Sequence, residues 1–447
     1  MKTRLLHLWD DLNSSYWFLP ATMVVFAGLL AFGSLWIDRH WNAPKSSDWI
    51  YTGGAAGARA LLSTVGGSVI TVAGVVFSIT IAALTQASSQ FGPRLLRNFM
   101  RDVGNQFVLG TFVATFFYCL LILRAVRGAD DSSFVPNLSI TVAVLMAAGS
   151  LAVLIYFIDH ISRSLQGPQV VAAVGIELER AVSRPFPTGV AEASENESEI
   201  STDWDGADLE KGYNVAATDN GYLQAMNENG LLEIAKRNDW IIRLACRPGD
   251  YIMKGSSLLR IEGARRCDEA MQCSMVNLFF LGRQRTAEQD MEYSIRQLVE
   301  IGVRALSPGI NDPFTAMNCI DWLGSAISAV ARHGLPSPRR YDDKGKLRVI
   351  AEVWTFSGLV DAAFNQIRQF GAESVAVSLR LLEVLASIAE QLRTDDQRKA
   401  VAHHVEMVYR QSCKRVHEPS DLTEIKVRYR SALAALHAEN ISTNSPA

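Results

Sequence analysis

Four uninterrupted apolar stretches dominate the first third of the chain. Residues 12–37, 60–93, 103–123 and 132–158 contain no Asp, Glu, Lys or Arg. A helix needs about 20 residues to cross the ~30 Å hydrocarbon core of a bilayer, and each stretch is long enough. The pattern predicts transmembrane helices at about 16–37, 62–85, 106–124 and 138–158, within a membrane domain of residues 1–166. Trp17, Trp36 and Trp41 flank the first span, where interfacial aromatics belong. Residues 167–211 read as a helix followed by an acidic, aliphatic-poor linker at 185–210. In 212–263 short apolar runs alternate with turn signals, which predicts a small β-rich module. Over 264–438 the apolar period is helical, with helices at about 313–333, 347–370, 373–394, 396–416 and 418–438. Residues 439–447 read as a frayed tail.

The expected fold class is a mainly α membrane protein: four transmembrane helices, a small β-rich module and a cytoplasmic helical bundle. "RPGDYIMKGSSLLRIEG" (247–263) is similar to the barrel-sandwich fold of biotinyl and lipoyl carrier domains. Lys254 sits at a strand–turn rather than in a carrier-type Met-Lys-Met, so no prosthetic group and no cofactor are expected.

A net charge of −3 gives no basis for nucleic-acid binding. The six cysteines form no C-x-x-C pair, which argues against a zinc site or a disulfide framework and for a reducing compartment. Asp10 and Asp11 precede the long first apolar run, which reads as a retained span rather than a cleaved leader. Lys2, Arg4, Arg94, Arg97, Arg101 and Arg163 outnumber Arg39, Lys45, Arg59, Arg124 and Arg127 by one. This slight bias, with the acidic C-terminal region and its free thiols, predicts both termini in the cytoplasm and residence in a bacterial inner membrane. His403 and His404 are adjacent and diverge on a helix, so no metal site is expected. No nucleotide, zinc-protease or serine-hydrolase motif is present, and no catalytic residue is assigned.

The second span carries the first candidate. Gly67, Thr71, Gly74, Ser78 and Thr85 recur at three- and four-residue steps and form a small, hydroxylated stripe, interrupted at Ile81. Such a stripe suits a close-packed helix seam or the wall of a water-filled path. The absence of charge within the four apolar runs lowers the expectation of ion-coupled transport.

The second candidate surrounds "RALSPGINDPFTAMN" (304–318). Ser307-Pro308-Gly309 should end one helix, with Asp312 as N-cap and Pro313 as the first residue of the next. A functional alternative gathers Arg283, Arg285, Asp290, Arg304, Asn311, Asp312 and Asn318 into one polar site. This region, together with "VFSITIAALTQASSQFGPRLLRNFMRD", "NGYLQAM", "RPGDYIMKG" and "RQRTAEQD", resembles a family of bacterial predicted membrane proteins, domain of unknown function twenty-two fifty-four. The resemblance implies a four-span inner-membrane protein with a cytoplasmic part, and brings no established activity. The expected function is a homo-oligomeric, channel-like protein with span two lining the path. Its expected partners are membrane lipids, further copies and ions. The alternative is a membrane-anchored sensor or scaffold whose cytoplasmic part binds a ligand or protein; a surface enzyme ranks last.

Overall fold

The computed structural model describes residues 17–40, 51, 53–92, 102–127, 134–164, 166–183, 212–262 and 267–438. The link arginines Arg94, Arg97 and Arg101, the linker 185–210, the tail 439–447 and the N-terminal Lys2 and Arg4 lie outside the described residues. The chain forms two compact units, Met1–Val170 and Val171–Ala447.

The first unit contains α1 (Phe18–His40), α2 (Ala55–Phe91), α3 (Val103–Ala125) and α4 (Asn137–Ser164). All four are long and apolar enough to cross a membrane. They cover the four charge-free stretches, and α2 is the outlier. Its 37 residues span about 55 Å at 1.5 Å per residue, well beyond the ~30 Å core. α3 is central: Val108, Phe112, Tyr118 and Ile122 are fully buried. α1, α2 and α4 pack around it. In lipid there is no hydrophobic drive between helices, so close approach matters. A Cβ on Gly110 of α3 would lie 3.2 Å from the Pro20 Cα of α1, so glycine there sets that approach.

A polar network closes one end of this bundle. The Asp38 carboxylate of α1 accepts from Leu138 N at 3.0 Å, Ser139 N at 2.9 Å and Ser139 Oγ at 2.6 Å. It thereby caps the N-terminus of α4 from 100 residues away in sequence, where free N–H groups and the helix dipole favour a negative charge. Ser34 Oγ lies 3.0 Å from Ser139 Oγ, and the buried Tyr118 hydroxyl donates to the Ser139 carbonyl at 3.1 Å.

The second unit begins with most of α5 (Gly167–Ser183). A Cβ on Gly175 would run into the Trp322 ring, so glycine is required for that contact. Next come β1 (Tyr213–Ala216), β2 (Gly221–Met226), α6 (Glu228–Asn238), β3 (Ile241–Leu244), β4 (Tyr251–Ile252), β5 (Ser257–Glu262), α7 (Glu269–Val276) and β6 (Phe279–Gly282). The helices α8 (Met291–Ala305) and α9 (Pro313–His333) follow, then β7 (Arg339–Tyr341) and β8 (Leu347–Ile350). Four helices complete the chain: α10 (Phe356–Phe370), α11 (Val375–Ala389), α12 (Asp395–Arg415) and α13 (Pro419–His437).

The strands form a five-stranded sheet ordered β1-β5-β3-β8-β7 and a three-stranded sheet ordered β4-β2-β6. Their shared core includes Leu223, Leu231, Ile242, Leu259, Ile261, Met275 and Val349. The sheets are not confined to 212–262: β6, β7 and β8 come from later sequence. The expectation of a helix starting at 347 is therefore corrected. "LRVI" pairs as β8 with β7 and, in parallel, with β3. The cause is local: Gly345 turns the chain at φ 74°, and the buried Asp342 accepts from Lys344 N and Lys346 N, both at 2.9 Å. Arg348 of β8 donates to Asp342 at 2.8 Å and to Asp239, at the end of α6, at 2.7 Å. The helix starts only at Phe356, capped by Thr355.

Candidate functional site

The α2 stripe faces outward. Gly67, Thr71, Gly74, Ser78 and Thr85 are all exposed. The intrachain seam is instead built by Leu62, Gly66, Val69, Ala73, Val76, Thr80 and Ala83, all buried. At 100° per residue the stripe and the seam are about 150° apart around the helix. A Cβ on Gly67 or Gly74 would meet nothing within 4 Å. Thr71 Oγ1 donates to the Gly67 carbonyl at 2.8 Å, Ser78 Oγ to Gly74 at 2.9 Å and Thr85 Oγ1 to Ile81 at 2.9 Å. Each hydroxyl proton is thus satisfied within α2, and its oxygen keeps acceptor capacity on the open face. The stripe flanks include the exposed Ile70, Val75 and Phe77.

The "SPGINDP" segment is a helix–helix corner. Ser307 accepts through its carbonyl from Ile310 N at 3.0 Å and Asn311 N at 2.9 Å, while its own Oγ donates to the Arg304 carbonyl at 2.6 Å. Asn311 takes a left-handed backbone, φ 51°, which asparagine tolerates better than most residues. Asp312 N donates back to the Ala305 carbonyl at 2.7 Å. The Asp312 carboxylate accepts from Thr315 N at 3.1 Å and Thr315 Oγ1 at 2.6 Å, and Pro313 occupies the first turn of α9. Arg304 pairs with Glu300 at 3.6 Å along its own helix. Asn318 lies further along α9, beside a groove with Asp321 and with Arg380 of α11.

The structure divides the seven-residue polar set. Arg285 and Asp290 stand at the N-terminal end of α8, whereas Arg304, Asn311 and Asp312 stand at or beyond its other end. The 15 residues of α8 separate the two groups by about 22 Å, so they do not form one site. Arg283 is exposed in the segment just after β6. What Arg285 and Asp290 meet is the turn 247–250. Arg285 Nε donates to Asp290 Oδ2 at 2.7 Å, and the Asp290 carboxylate also caps α8 at Tyr293 N, 3.1 Å away. Gly249 lies directly against this pair at φ 99°, where a Cβ would be 2.7 Å from both Arg285 Nη2 and Asp290 Cγ. Beside it Arg247 donates to Glu292 at 3.2 Å, and Arg296 donates to the same carboxylate at 2.7 Å. The Arg247 guanidinium lies 5.6 Å from the Trp354 ring centroid. "RPGDY" and "RQRTAEQD" are thus two sides of one ionic junction.

Burial pushes the Asp290 carboxyl up to about 6, against the opposing pull of Arg285 and of the Tyr293 N–H. A carboxyl raised in the folded state favours folding in its protonated form. Its contribution is fully present below the ordinary Asp value of about 3.9 and is lost as pH rises through about 6. The thermal midpoint of the detergent-solubilised protein is expected to fall over that window, and Asp290→Asn to flatten the fall. An unchanged slope in the variant would rule this assignment out.

Sequence reasoning missed two ionic features of the membrane unit, because each lies just outside a charge-free run. One is the Asp38 cap. The other is at the opposite end of α4, where His160 Nε2 lies 2.6 Å from Asp102 Oδ2 and Asp102 caps α3 at Gly104 N, 2.8 Å away. In the second unit, His404 is buried and bonds Asp361 at 3.0 Å, with its ring held below the ordinary value mainly by burial. Among the described residues no group of three or more His, Cys, Asp or Glu is arranged to hold a metal ion.

Comparison with known proteins agrees with the four apolar helices. The sequence profile of a family described as predicted membrane protein (DUF2254) matches residues 13–387. An uncharacterized protein of Mycobacterium bovis is 31% identical over 419 residues, covering 92% of this chain and 79% of the relative. An uncharacterized protein of Mycobacterium tuberculosis matches with the same identity and coverage. No solved structure matches the chain.

Proposed function

The chain belongs to the DUF2254 family of predicted membrane proteins, and from that premise we propose that it is a homo-oligomeric, channel-like protein of the bacterial inner membrane with α2 lining the path. The observation that carries this reading is the outward stripe. From Gly67 to Thr85 it runs 18 residues, about 27 Å of helix, close to the ~30 Å thickness of the hydrocarbon core. One helix cannot enclose a path, so the reading requires several copies with their stripes turned to a common axis. Water and ions passing there meet hydroxyl oxygens and glycine backbone instead of aliphatic side chains. In this arrangement both termini and the second unit lie in the cytoplasm.

The test is ion flux from liposomes containing the full-length protein. Thr71→Trp and Ser78→Trp are each expected to cut flux by roughly tenfold or more, because the added ring fills the path. Ile79→Trp, on an exposed position away from the stripe, should leave it unchanged. Pure oligomer with no flux under voltage, tension or osmotic shock rejects the channel. A membrane-anchored sensor or scaffold is the second reading, favoured by Phe314 and Ile310, which are 73% and 40% exposed at the α8–α9 corner. It is separated from the channel by Phe314→Ser, which then abolishes recovery of a bound ligand or partner and leaves flux intact.

A further inference from the structure

α1 and α4 meet at the Asp38–Ser139 end and enclose a cleft on α3 toward the other end. One cavity of about 620 Å³ lies there, between Met23 and Leu30 of α1, Ala114 of α3, and Met146 and Gly149 of α4. A second, of about 630 Å³, extends from it past Gly104 to Tyr156. Phe107 and Val153 line both, so the two form one track. The track is lined mainly by apolar side chains, with the hydroxyls of Thr22, Thr111 and Thr115 among them, and ends in titratable groups. The Tyr156 hydroxyl is 3.5 Å from His160 Nδ1, and the other ring nitrogen of His160 is 2.6 Å from Asp102.

We propose that this track holds one acyl chain of a bilayer glycerophospholipid, with the polar headgroup at the Tyr156–His160–Asp102 end. Three physical arguments support this occupant. First, the space cannot be filled stably by water, which needs two to four polar partners that an apolar lining does not supply. Hydrocarbon gains dispersion contacts with every wall. Second, the length matches. From Met146 to Tyr156 is 10 residues of α4, about 15 Å, which is half of the ~30 Å core and so one leaflet. Third, the order of chemistry matches an amphiphile: the hydroxyls of Thr22, Thr111 and Thr115 along the track donate to carbonyls of their own helices, and titratable side chains gather at the end where the spans terminate. The cleft is open beside Gly149, where a Cβ would meet nothing within 4 Å.

The test uses full-length protein in nanodiscs of phosphatidylethanolamine and phosphatidylglycerol, doped with a phosphatidylethanolamine carrying a mid-chain diazirine. After illumination, adducts are mapped by mass spectrometry. Adducts are expected to concentrate about tenfold at Thr111, Met146 and Val153 over the exposed Leu151 and Ile155 of α4. Gly149→Trp, which fills the cleft, should remove that enrichment, while Leu151→Trp on the outer face should not. Thr111→Phe obstructs the same cleft from α3 and serves if the tryptophan variant does not fold. Adducts spread evenly over α1 and α4, or enrichment that survives the filling variants, would each overturn the proposal. The readout is independent of flux, so it stands or falls separately from the channel reading.

Discussion

Gly249→Ala is expected to destabilise the Val171–Ala447 unit by about 4–7 kcal/mol, against about 1–2 kcal/mol for Gly255→Ala. The two glycines make a matched pair. Both take left-handed backbone, φ 99° at Gly249 and φ 88° at Gly255, so each alanine carries the same kind of backbone strain, about 1–2 kcal/mol for a side chain in that region. Their surroundings differ. A Cβ on Gly255 meets nothing within 4 Å, whereas one on Gly249 strikes the Asp290 carboxylate and the Arg285 guanidinium. The Asp290 side chain has no exposed surface. Parting it from Arg285 leaves a buried charge uncompensated, a loss of about 3–5 kcal/mol in comparable pairs. Denaturant or thermal unfolding of the two variants gives the comparison directly. Equal losses would mean that the junction relaxes around the methyl group and that backbone strain alone decides the result.

Asp38→Ala should destabilise the membrane unit by about 3 kcal/mol, combining the loss of a helix cap with the exposure of unpaired donors to a poorly hydrated setting. Three donors rely on this carboxylate: Leu138 N, Ser139 N and Ser139 Oγ. The effect should exceed that of an ordinary surface cap because the network continues inward through Ser34 to the fully buried Tyr118. Asp38→Asn keeps an acceptor oxygen and loses the charge that the helix N-terminus favours, so it should recover about half of the lost stability. Thermal unfolding in detergent checks both variants. An alanine variant within about 0.5 kcal/mol of the parent would show that other groups satisfy the N-terminus of α4.

Much of the architecture was legible from residue pattern. Absence of charge located the four spans, and the Asp312-Pro313 pair located the start of α9 because capping chemistry is local. The outward-facing and core-facing sides of α2 were not legible. Gly66, Ala73 and Ala83 on one side and Gly67, Gly74 and Ser78 on the other are all small, so composition cannot choose between them. β7 and β8 escaped because strands of three and four residues carry too few positions to show a period. The polar set around α8 was grouped by nearness in sequence, and a straight helix then carried its two ends apart. The partner of Arg285 and Asp290 was the turn at Gly249, about 40 residues upstream. The signal was present, since both segments carry the family resemblance, but their proximity in space was not.

The parallel pairing of β3 with β8 also sets a schedule for synthesis. β3 ends at Leu244 and its partner strand ends at Ile350, 106 residues later. At ~5–20 residues per second, one edge of β3 waits on the order of 5–20 s for its neighbour. Throughout that interval the nascent chain presents an unpaired strand edge, the kind of template on which two chains can join wrongly. A ribosome-bound chain stopped before residue 350 should therefore be a better chaperone client than one stopped after it.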